Sequence, residues 1–400
     1  MARTTDRPPS PESITTMHGV LCCVALAISL SFLHDRGSYV ESHKKERAAV
    51  VAERAFSSPW TLSSPYWIVI AGMPSAAQGW KNAATKAGLK PLADHPDYYA
   101  MQTSPEWATE WERILAALNS VADESGLKAA IIAADKPPSS KEISFNLRPL
   151  QAVQEVVEHL WLLDHLSEDR LVCYFQRVID RRSKQVGFEA FARIAQGDGN
   201  IIGGAAIMRA SHALKVEYQV DRRMHKQAID TFAACDLDGY IFVNFLTGFI
   251  HRPEVYLEGL SQAVERHHLM PRSIALDVPL TDYVRDIAKL RSIAGYCHAR
   301  GFSLSLDDVM TPEGLGNLLS DIRPSIVKLD GKLGPAFMDV KRQGPVLEII
   351  RLAHNAGALV LAEGVENEAL FQAYVQAGVD MFQGYHIGAP ELFTAKDCSK

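Results

Sequence analysis

Seven short apolar stretches in the second half of the chain are each interrupted or ended by polar residues. These residues are Glu189, Asn244, Asp277, Asp307 with Asp308, Lys328, Glu363 and Gln383. A buried carboxylate without a partner is costly, so the five carboxylates of this set would need cations to compensate their charge. Oxygen ligands that include an amide suit Mg2+ or Mn2+ better than zinc. The pattern therefore indicates a site for hard divalent cations.

The adjacent pair Asp307 and Asp308 points to two cations, because neighbouring carboxylates can bridge two ions. Two hard cations held close together are a common device for in-line hydrolysis of a phosphodiester: one activates water and the other stabilises the leaving oxygen. Taken singly, each polar residue could instead cap a helix or lie on the surface. Their recurrence at the ends of apolar runs argues against that interpretation of the whole set.

The apolar runs themselves predict an α/β fold. From residue 171 onward they alternate with helix-length segments, as in a (β/α)8 TIM-like barrel. The predicted strands are residues 172–179, 186–193, 240–245, 273–278, 302–307, 326–329, 359–363 and 381–384. The first two are separated by too few residues for a parallel crossover, so we expect an antiparallel first strand. Active sites of such barrels lie at the carboxyl ends of the strands, where the polar residues occur.

The N-terminal part of the chain is predicted to lie outside the barrel, which needs only roughly 250 residues. We assign residues 1–60 to a tail with a membrane or connecting helix, residues 61–140 to a small α/β regulatory or interaction domain, and residues 150–392 to the barrel. An amphipathic helix over residues 150–166 would lead into the barrel. Residues 14–34 lack charged side chains and either just span a bilayer or form a buried helix.

The overall charge argues against a nucleic-acid polymer as the ligand. The formal net charge is −6 with 47% hydrophobic residues, which is typical of a globular protein without a basic surface for a nucleic-acid polymer. A nucleotide ligand would have to be held by a local site. Basic residues at 44, 45 and 47 follow the uncharged segment and would keep the rest of the chain in the cytoplasm.

Over roughly residues 150 to 390 the chain resembles the EAL family of bacterial cyclic di-GMP phosphodiesterases. The motif that names the family reads Gly187-Phe188-Glu189-Ala190-Phe191-Ala192-Arg193, with Phe191 in place of the usual Leu. The other matching motifs are Tyr174-Phe175-Gln176, Val243-Asn244-Phe245, Leu304-Ser305-Leu306-Asp307-Asp308, Val327-Lys328-Leu329-Asp330, Ala362-Glu363-Gly364-Val365-Glu366 and Phe382-Gln383-Gly384-Tyr385. As an ordered set these motifs are highly specific.

The resemblance implies hydrolysis of cyclic di-GMP to linear pGpG with two Mg2+ or Mn2+ ions. The implied ligands of one ion are Glu189, Asn244, Asp277 and Asp307, and those of the other are Asp307, Asp308 and Glu363. The implied catalytic residues are Lys328, which would position or help to deprotonate water, with Glu189 and Glu366. Gln176, Arg193 and Gln383 would contact or support the nucleotide, with Arg193 facing phosphate. The implied setting is a homodimer in the bacterial cytoplasm, which would be anchored at the inner membrane if residues 14–34 span it.

Departures from the family pattern leave an alternative open. Asp277 and Leu280 stand where the family usually has Glu, Arg177 replaces a Pro, and the loop after Asp308 differs from the usual sequence. A catalytically weak or silent receptor for cyclic di-GMP would fit these changes. A third alternative is an enolase-type barrel that uses Lys328 as a base toward a carbon acid, which also needs carboxylates at strand ends.

Overall fold

The structure is a computed structural model of the chain. It describes residues 4–5, 66–73, 77–93, 95–103, 107–119, 121, 126–133, 136–196, 199–245, 252–280 and 286–393. The chain divides into two compact units. One consists of Met1–Arg170 with Gln196–Gln219, and the other of Leu171–Ala195 with Val220–Lys400.

The first unit contains a five-stranded antiparallel sheet with the strand order β3-β4-β2-β5-β6. Its strands are β2 (Tyr66–Ala71), β3 (Lys90–Leu92), β4 (His95–Thr103), β5 (Lys128–Ala133) and β6 (Arg148–Pro149). Helices α1 (Ala77–Lys86) and α2 (Trp107–Leu118) complete a β-α-β-β-α-β order, which is the split βαβ arrangement. The region predicted to be a small α/β domain thus contains both strands and helices, while its proposed boundaries stay a prediction.

The remaining elements of this unit are mostly helical. They are β1 (Thr4–Thr5), α3 (Ser140–Asn146), α4 (Leu150–Glu158), α5 (Trp161–Ser167), β9 (Ile201–Ile202) and α6 (Gly204–Leu214). The prediction of a single helix over residues 150–166 is wrong, because the chain turns at His159 and forms α4 and α5 instead. The six residues Trp161 to Leu166 are all buried. An amphipathic helix with one apolar face cannot account for such burial on every side.

The second unit is a closed eight-stranded barrel, as the sequence predicted. Its strands are β7 (Leu171–Asp180), β8 (Gln185–Ala195), β10 (Tyr240–Asn244), β11 (Ile274–Pro279), β12 (Ser303–Val309), β13 (Ile326–Leu329), β14 (Leu359–Ala362) and β15 (Met381–Phe382). The first strand, β7, is antiparallel to both of its neighbours, and the other pairs are parallel. The prediction of an EAL-type barrel with an antiparallel first strand is confirmed.

Helices fill the connections between the barrel strands. They are α7 (Glu217–Ala234), α8 (Pro253–Tyr256), α9 (Glu258–Arg266), α10 (Ile287–Arg300), α11 (Leu315–Ile322), α12 (Gly334–Phe337), α13 (Gly344–Asn355) and α14 (Glu368–Ala377), with 3-10 turns at Pro271–Ser273 and Gly331–Leu333. Most follow one strand and precede the next, which is the expected βα repeat.

The seam between the first and last strands is closed by two different segments. β15 pairs with β7 only at Ile179 and Asp180. Nearer the start of β7, Phe175 exchanges two backbone hydrogen bonds with Glu391, at 2.8 and 2.9 Å between N and O. The rings of Phe175, Phe188 and Phe393 pack edge to face beside this bridge. The C-terminal segment therefore completes the seam that the short β15 leaves open.

The barrel interior is layered, and the layering places the polar residues. Six strands contribute one apolar residue each to a single buried cluster: Val178, Phe242, Ala275, Ile326, Leu361 and Met381. Side chains alternate between the two faces of a strand, so a residue two positions further on points inward again. On the parallel strands that residue is Asn244, Asp277, Lys328, Glu363 or Gln383. On the antiparallel β7 the equivalent residue comes two positions earlier and is Gln176.

Within the part of the chain that the structure describes, no helix combines the length and apolarity that crossing a membrane requires. Residues 14–34, for which the sequence predicted a spanning or buried helix, lie outside the described residues.

Substitution of Gly364 should destabilise the barrel. Gly364 has a φ of 62°, and a Cβ atom there would lie 2.8 Å from the Cα atom of Gly331. We expect Gly364→Ala to lower the free energy of unfolding by about 1–3 kcal/mol in chemical denaturation. Gly295→Ala is the control: Gly295 lies inside α10 with nothing within 4 Å of an added Cβ, so this change should stabilise by roughly 0.5–1 kcal/mol. Equal effects of the two substitutions would contradict the steric argument.

Candidate active site

A fully buried lysine lies among four carboxylates at the carboxyl ends of the barrel strands. The Nζ atom of Lys328 is 2.7 Å from Glu363 Oε1, 3.0 Å from Asp277 Oδ2, 3.2 Å from Glu189 Oε2 and 3.5 Å from Asp307 Oδ2. We call these five residues the Lys328 cluster. Beneath it, the ring of Phe242 lies 5.8 Å from Nζ and forms the apolar floor. The structure thus brings together the predicted residues of five different strands or strand ends.

The balance of charge in the Lys328 cluster is negative. Burial disfavours the ammonium form of Lys328, but the four carboxylates outweigh it and raise the pKa of the lysine well above its usual range. Burial, together with repulsion from Asp307 and Glu189, raises the pKa of Asp277 to about 7 against the attraction of Lys328. Burial likewise raises the pKa of Glu363 well above its usual value. One ammonium compensates these carboxylates only in part, so the cluster favours additional cations or protons.

A bulge in β12 presents two consecutive carboxylates near the same place. The pairing of β12 with β13 shifts register between Leu306 and Val309. Asp308 adopts a φ of 55° there, a conformation that Asp tolerates better than most residues, and its N–H donates to Asp307 Oδ1 at 2.8 Å. Burial and the charges of Asp307 and Asp330 raise the pKa of Asp308. Asp307 therefore joins the Lys328 cluster while Asp308 lies beside it.

Asn244 extends the cluster along β10. Its Nδ2 atom donates a hydrogen bond to Glu189 Oε1 at 3.1 Å. Its backbone oxygen lies 2.9 Å from Nε2 of His225, a buried residue of α7. Sequence reasoning missed His225. The spacing of four residues between Asp221 and His225 on one helix could have drawn attention to it, because residues so spaced share a helix face.

Two glutamines form an amide pair beside the carboxylates. Gln383 Nε2 donates to Gln176 Oε1 at 3.0 Å, and Gln176 Nε2 donates to the backbone oxygen of Gly388 at 2.8 Å. Gln176 lies directly opposite Glu189 in the β7–β8 ladder, so their side chains share a face. The Oε1 atom of Gln383 is buried and has no hydrogen-bond partner. The pair therefore leaves one buried amide oxygen unsatisfied.

Arg193 lies further out along β8 than Glu189. It is half-buried, its guanidinium lies 5.5 Å from the ring centroid of Phe191, and its Nη1 donates to the backbone oxygen of Ala192 at 2.8 Å. Burial lowers its pKa. Arg193 is four positions after Glu189 on the same strand, so both side chains point to the same face.

Glu366 differs in burial from the carboxylates of the Lys328 cluster. It is exposed, whereas the carboxylates of the Lys328 cluster are buried or half-buried. Its catalytic role stays a prediction.

Two of the departures from the family pattern lie in different places in the barrel. Leu280 directly follows β11 and is half-buried, while Arg177 is exposed on the outward face of β7 opposite Phe188. The charge of Arg177 therefore does not face the Lys328 cluster.

The donor atoms of the predicted ligands are of the chemical type that a hard divalent cation prefers. All the predicted metal ligands offer carboxylate or amide oxygen, negative charge is in excess, and Asp277 Oδ1 is buried without a hydrogen bond. Among the described residues, however, no three His, Cys, Asp or Glu side chains are arranged as a metal-binding group. The ammonium of Lys328 lies where their oxygens converge.

Comparison with known proteins agrees with this architecture. A family model of the EAL domain matches residues 159–390. An uncharacterized EAL-domain containing protein of Bacillus subtilis, YkuI, is 25% identical over 60% of this chain and 60% of its own length. The cyclic di-GMP phosphodiesterase PdeB of Shewanella oneidensis is 22% identical over 56% of this chain but only 27% of its own length. The chain thus spans less than two thirds of these relatives.

Solved structures show the same fold. The phosphodiesterase PaMucR in complex with c-di-GMP superposes with a TM-score of 0.52 at 21% identity, covering 60% of this chain and 98% of that chain. The structure of Bacillus subtilis YkuI with c-di-GMP and calcium has a TM-score of 0.51 at 23% identity, covering 58% of each chain. With a family match over more than half of its length and a barrel whose first strand is antiparallel, the chain belongs to the EAL domain family.

Proposed function

We propose that this protein hydrolyses cyclic di-GMP to linear pGpG with two Mg2+ or Mn2+ ions, in the bacterial cytoplasm. The Lys328 cluster carries the proposal, because four carboxylates, from three strands and from the residue after β14, lie within 3.5 Å of one atom at the carboxyl ends of the barrel strands. Family membership supports the same ligand, since relatives are named as cyclic di-GMP phosphodiesterases or solved with c-di-GMP.

The proposed ligands of one ion are Glu189, Asn244, Asp277 and Asp307, and those of the other are Asp307, Asp308 and Glu363. When bound, two such ions would supply an activated water and neutralise charge on the phosphate and the leaving oxygen. The protein's own contribution is to hold these oxygens on rigid strand ends. The bulge at Asp308 supports the bridging role of the pair, because it keeps consecutive carboxylates close together.

Lys328 would hold and orient a water molecule as a hydrogen-bond donor. Its three N–H groups are surrounded by four carboxylates, and these keep its pKa high. A proton-accepting role for Lys328 requires that these contacts first weaken. Gln176, Gln383 and Arg193 would bind the nucleotide, Arg193 by charge-assisted hydrogen bonds to phosphate. The free Oε1 acceptor of Gln383 supports a role in ligand binding.

A receptor without turnover is the second candidate, and the position of Lys328 favours it. Asp277, one methylene shorter than the usual Glu, forms a direct ion pair with Lys328 at 3.0 Å, and Leu280 offers no carboxylate. A stable ammonium at the point where the carboxylates converge competes with cations for the same oxygens. Such a protein would bind cyclic di-GMP through Gln176, Gln383 and Arg193 and hydrolyse it slowly or not at all.

Removal of Glu189 tests hydrolysis directly. Glu189→Ala should reduce Mn2+-dependent turnover of cyclic di-GMP by about 100-fold or more, because it removes a metal ligand and the acceptor of Asn244. The measurement is pGpG formation followed by chromatography. The control is Glu348→Ala, which removes an exposed carboxylate on α13 that pairs with Arg351. Unchanged turnover and metal binding in Glu189→Ala would refute the assignment of the site.

Restoring the family residues separates the two candidates. The double substitution Asp277→Glu and Leu280→Glu should raise kcat if these departures weaken metal binding, since each adds reach or charge to the ligand set. A wild-type protein that binds cyclic di-GMP tightly but forms no pGpG is a receptor. A fully active wild-type protein with no gain from the double substitution would show that the departures do not limit turnover.

Removal of Lys328 should make stability depend on the metal. Lys328→Met leaves buried carboxylates uncompensated, and we expect a loss of about 3 kcal/mol or more with a chelator present. Mn2+ should restore the melting temperature of this variant more than it raises that of the wild type. The control, Lys332→Met, removes an exposed lysine that pairs with Asp330 and should leave the melting temperature nearly unchanged. Wild-type stability of Lys328→Met without metal would contradict this account of the charges.

A further inference from the structure

Behind the end of β10, a buried histidine forms a hydrogen bond with the backbone of a proposed metal ligand. Nε2 of His225 lies 2.9 Å from the backbone oxygen of Asn244. A carbonyl oxygen can only accept, so Nε2 must carry the hydrogen and donate it. Asn244 is the last residue of β10, where the sheet ladder ends and a carbonyl needs another partner. His225 supplies that partner from α7.

The imidazole is itself held from three sides. Asp221, one turn earlier on α7, places Oδ2 3.4 Å from Nε2 of His225. The hydroxyl of Tyr256, on α8, donates a hydrogen bond to the same Oδ2 atom. The ring of Phe245 stacks on the imidazole with centroids 6.4 Å apart and planes inclined by 29°. His225, Asp221 and Tyr256 are each more than nine-tenths buried, so the arrangement is rigid and shielded from water.

This network is connected to the site through Asn244. The backbone of Asn244 accepts from His225 on one side, and its side chain donates to Glu189 on the other at 3.1 Å. The bond from His225 restrains the peptide group between Asn244 and Phe245 and so restricts the direction of the Asn244 side chain. Neighbours that orient metal ligands commonly contribute to metal affinity.

We infer that His225 is a positioning residue that holds Asn244 for metal binding, with Asp221 and Tyr256 fixing the imidazole. The inference rests on the proposed function, because it takes Asn244 as a metal ligand. The hydrogen bond of His225 goes to the backbone of Asn244, not to its side chain. The effect of the three side chains on the reaction passes through the backbone of Asn244.

The test is a double-mutant cycle with Mn2+ binding as its readout. His225→Leu introduces an apolar side chain of similar size that cannot form the hydrogen bond, and we expect Mn2+ to bind about 10-fold more weakly in calorimetric or paramagnetic resonance titrations. His225→Gln, whose Nε2 can donate in the same direction, should recover most of that loss. In a background of Asn244→Ala, His225→Leu should cost little more, because the ligand that it positions is already absent.

A matched control uses another histidine that lies close to a backbone carbonyl. Nε2 of His298 is 3.1 Å from the oxygen of Arg323. His298→Leu should leave Mn2+ affinity unchanged. Wild-type affinity in His225→Leu, an equal loss in His298→Leu, or full additivity with Asn244→Ala would overturn the inference. A wild-type protein that binds neither Mn2+ nor cyclic di-GMP would overturn the proposed function and the inference together. Normal wild-type binding with an unaffected His225→Leu would overturn the inference alone.

Discussion

The ion cluster around Lys328 is the interaction on which the site depends. A buried ammonium is tolerated only where carboxylates surround it, and here they come from β8, β11, β12 and the residue after β14. No local segment can assemble this set, because its members are distributed along the chain from Glu189 to Glu363. The cluster exists only when the barrel is closed and the register is correct. The chemistry of the site therefore depends on the complete fold.

The fold was readable from the sequence where hydrophobic periodicity and connection length decide it. Eight apolar runs and a six-residue connection before Val186 were sufficient for the barrel and its antiparallel first strand. The polar residues at the strand ends were recognised because they break an apolar pattern. The short strands β3 and β6 were not predicted, since three or two residues carry no periodicity. The turn at His159 was also missed, because the residues around it continue an amphipathic pattern.

The sequence could predict which polar residues lie at the strand ends but not how their side chains are arranged. That Lys328 lies between the carboxylates, rather than at a solvated tip, depends on side-chain directions that spacing cannot specify. His225 was missed because a histidine on a helix has no local signal of its distant partner, the carbonyl of Asn244. The two candidate functions differ in how strongly cations must bind the carboxylate oxygens. Hydrolysis requires that cations displace the ammonium of Lys328 from these oxygens, whereas a receptor does not need bound cations there.

The seam between β7 and the C-terminal segment has a consequence for how the barrel forms during protein synthesis. The first strand, β7, gains its second neighbour only when Phe382 pairs with Ile179 and Glu391 pairs with Phe175. These partners come more than two hundred residues later in the chain. Until the ribosome has released those last residues, both edges of the growing sheet are open to pairing with other chains. The charges of the site are then only partly assembled. A premature stop before Met381 would therefore leave an open sheet rather than a smaller barrel.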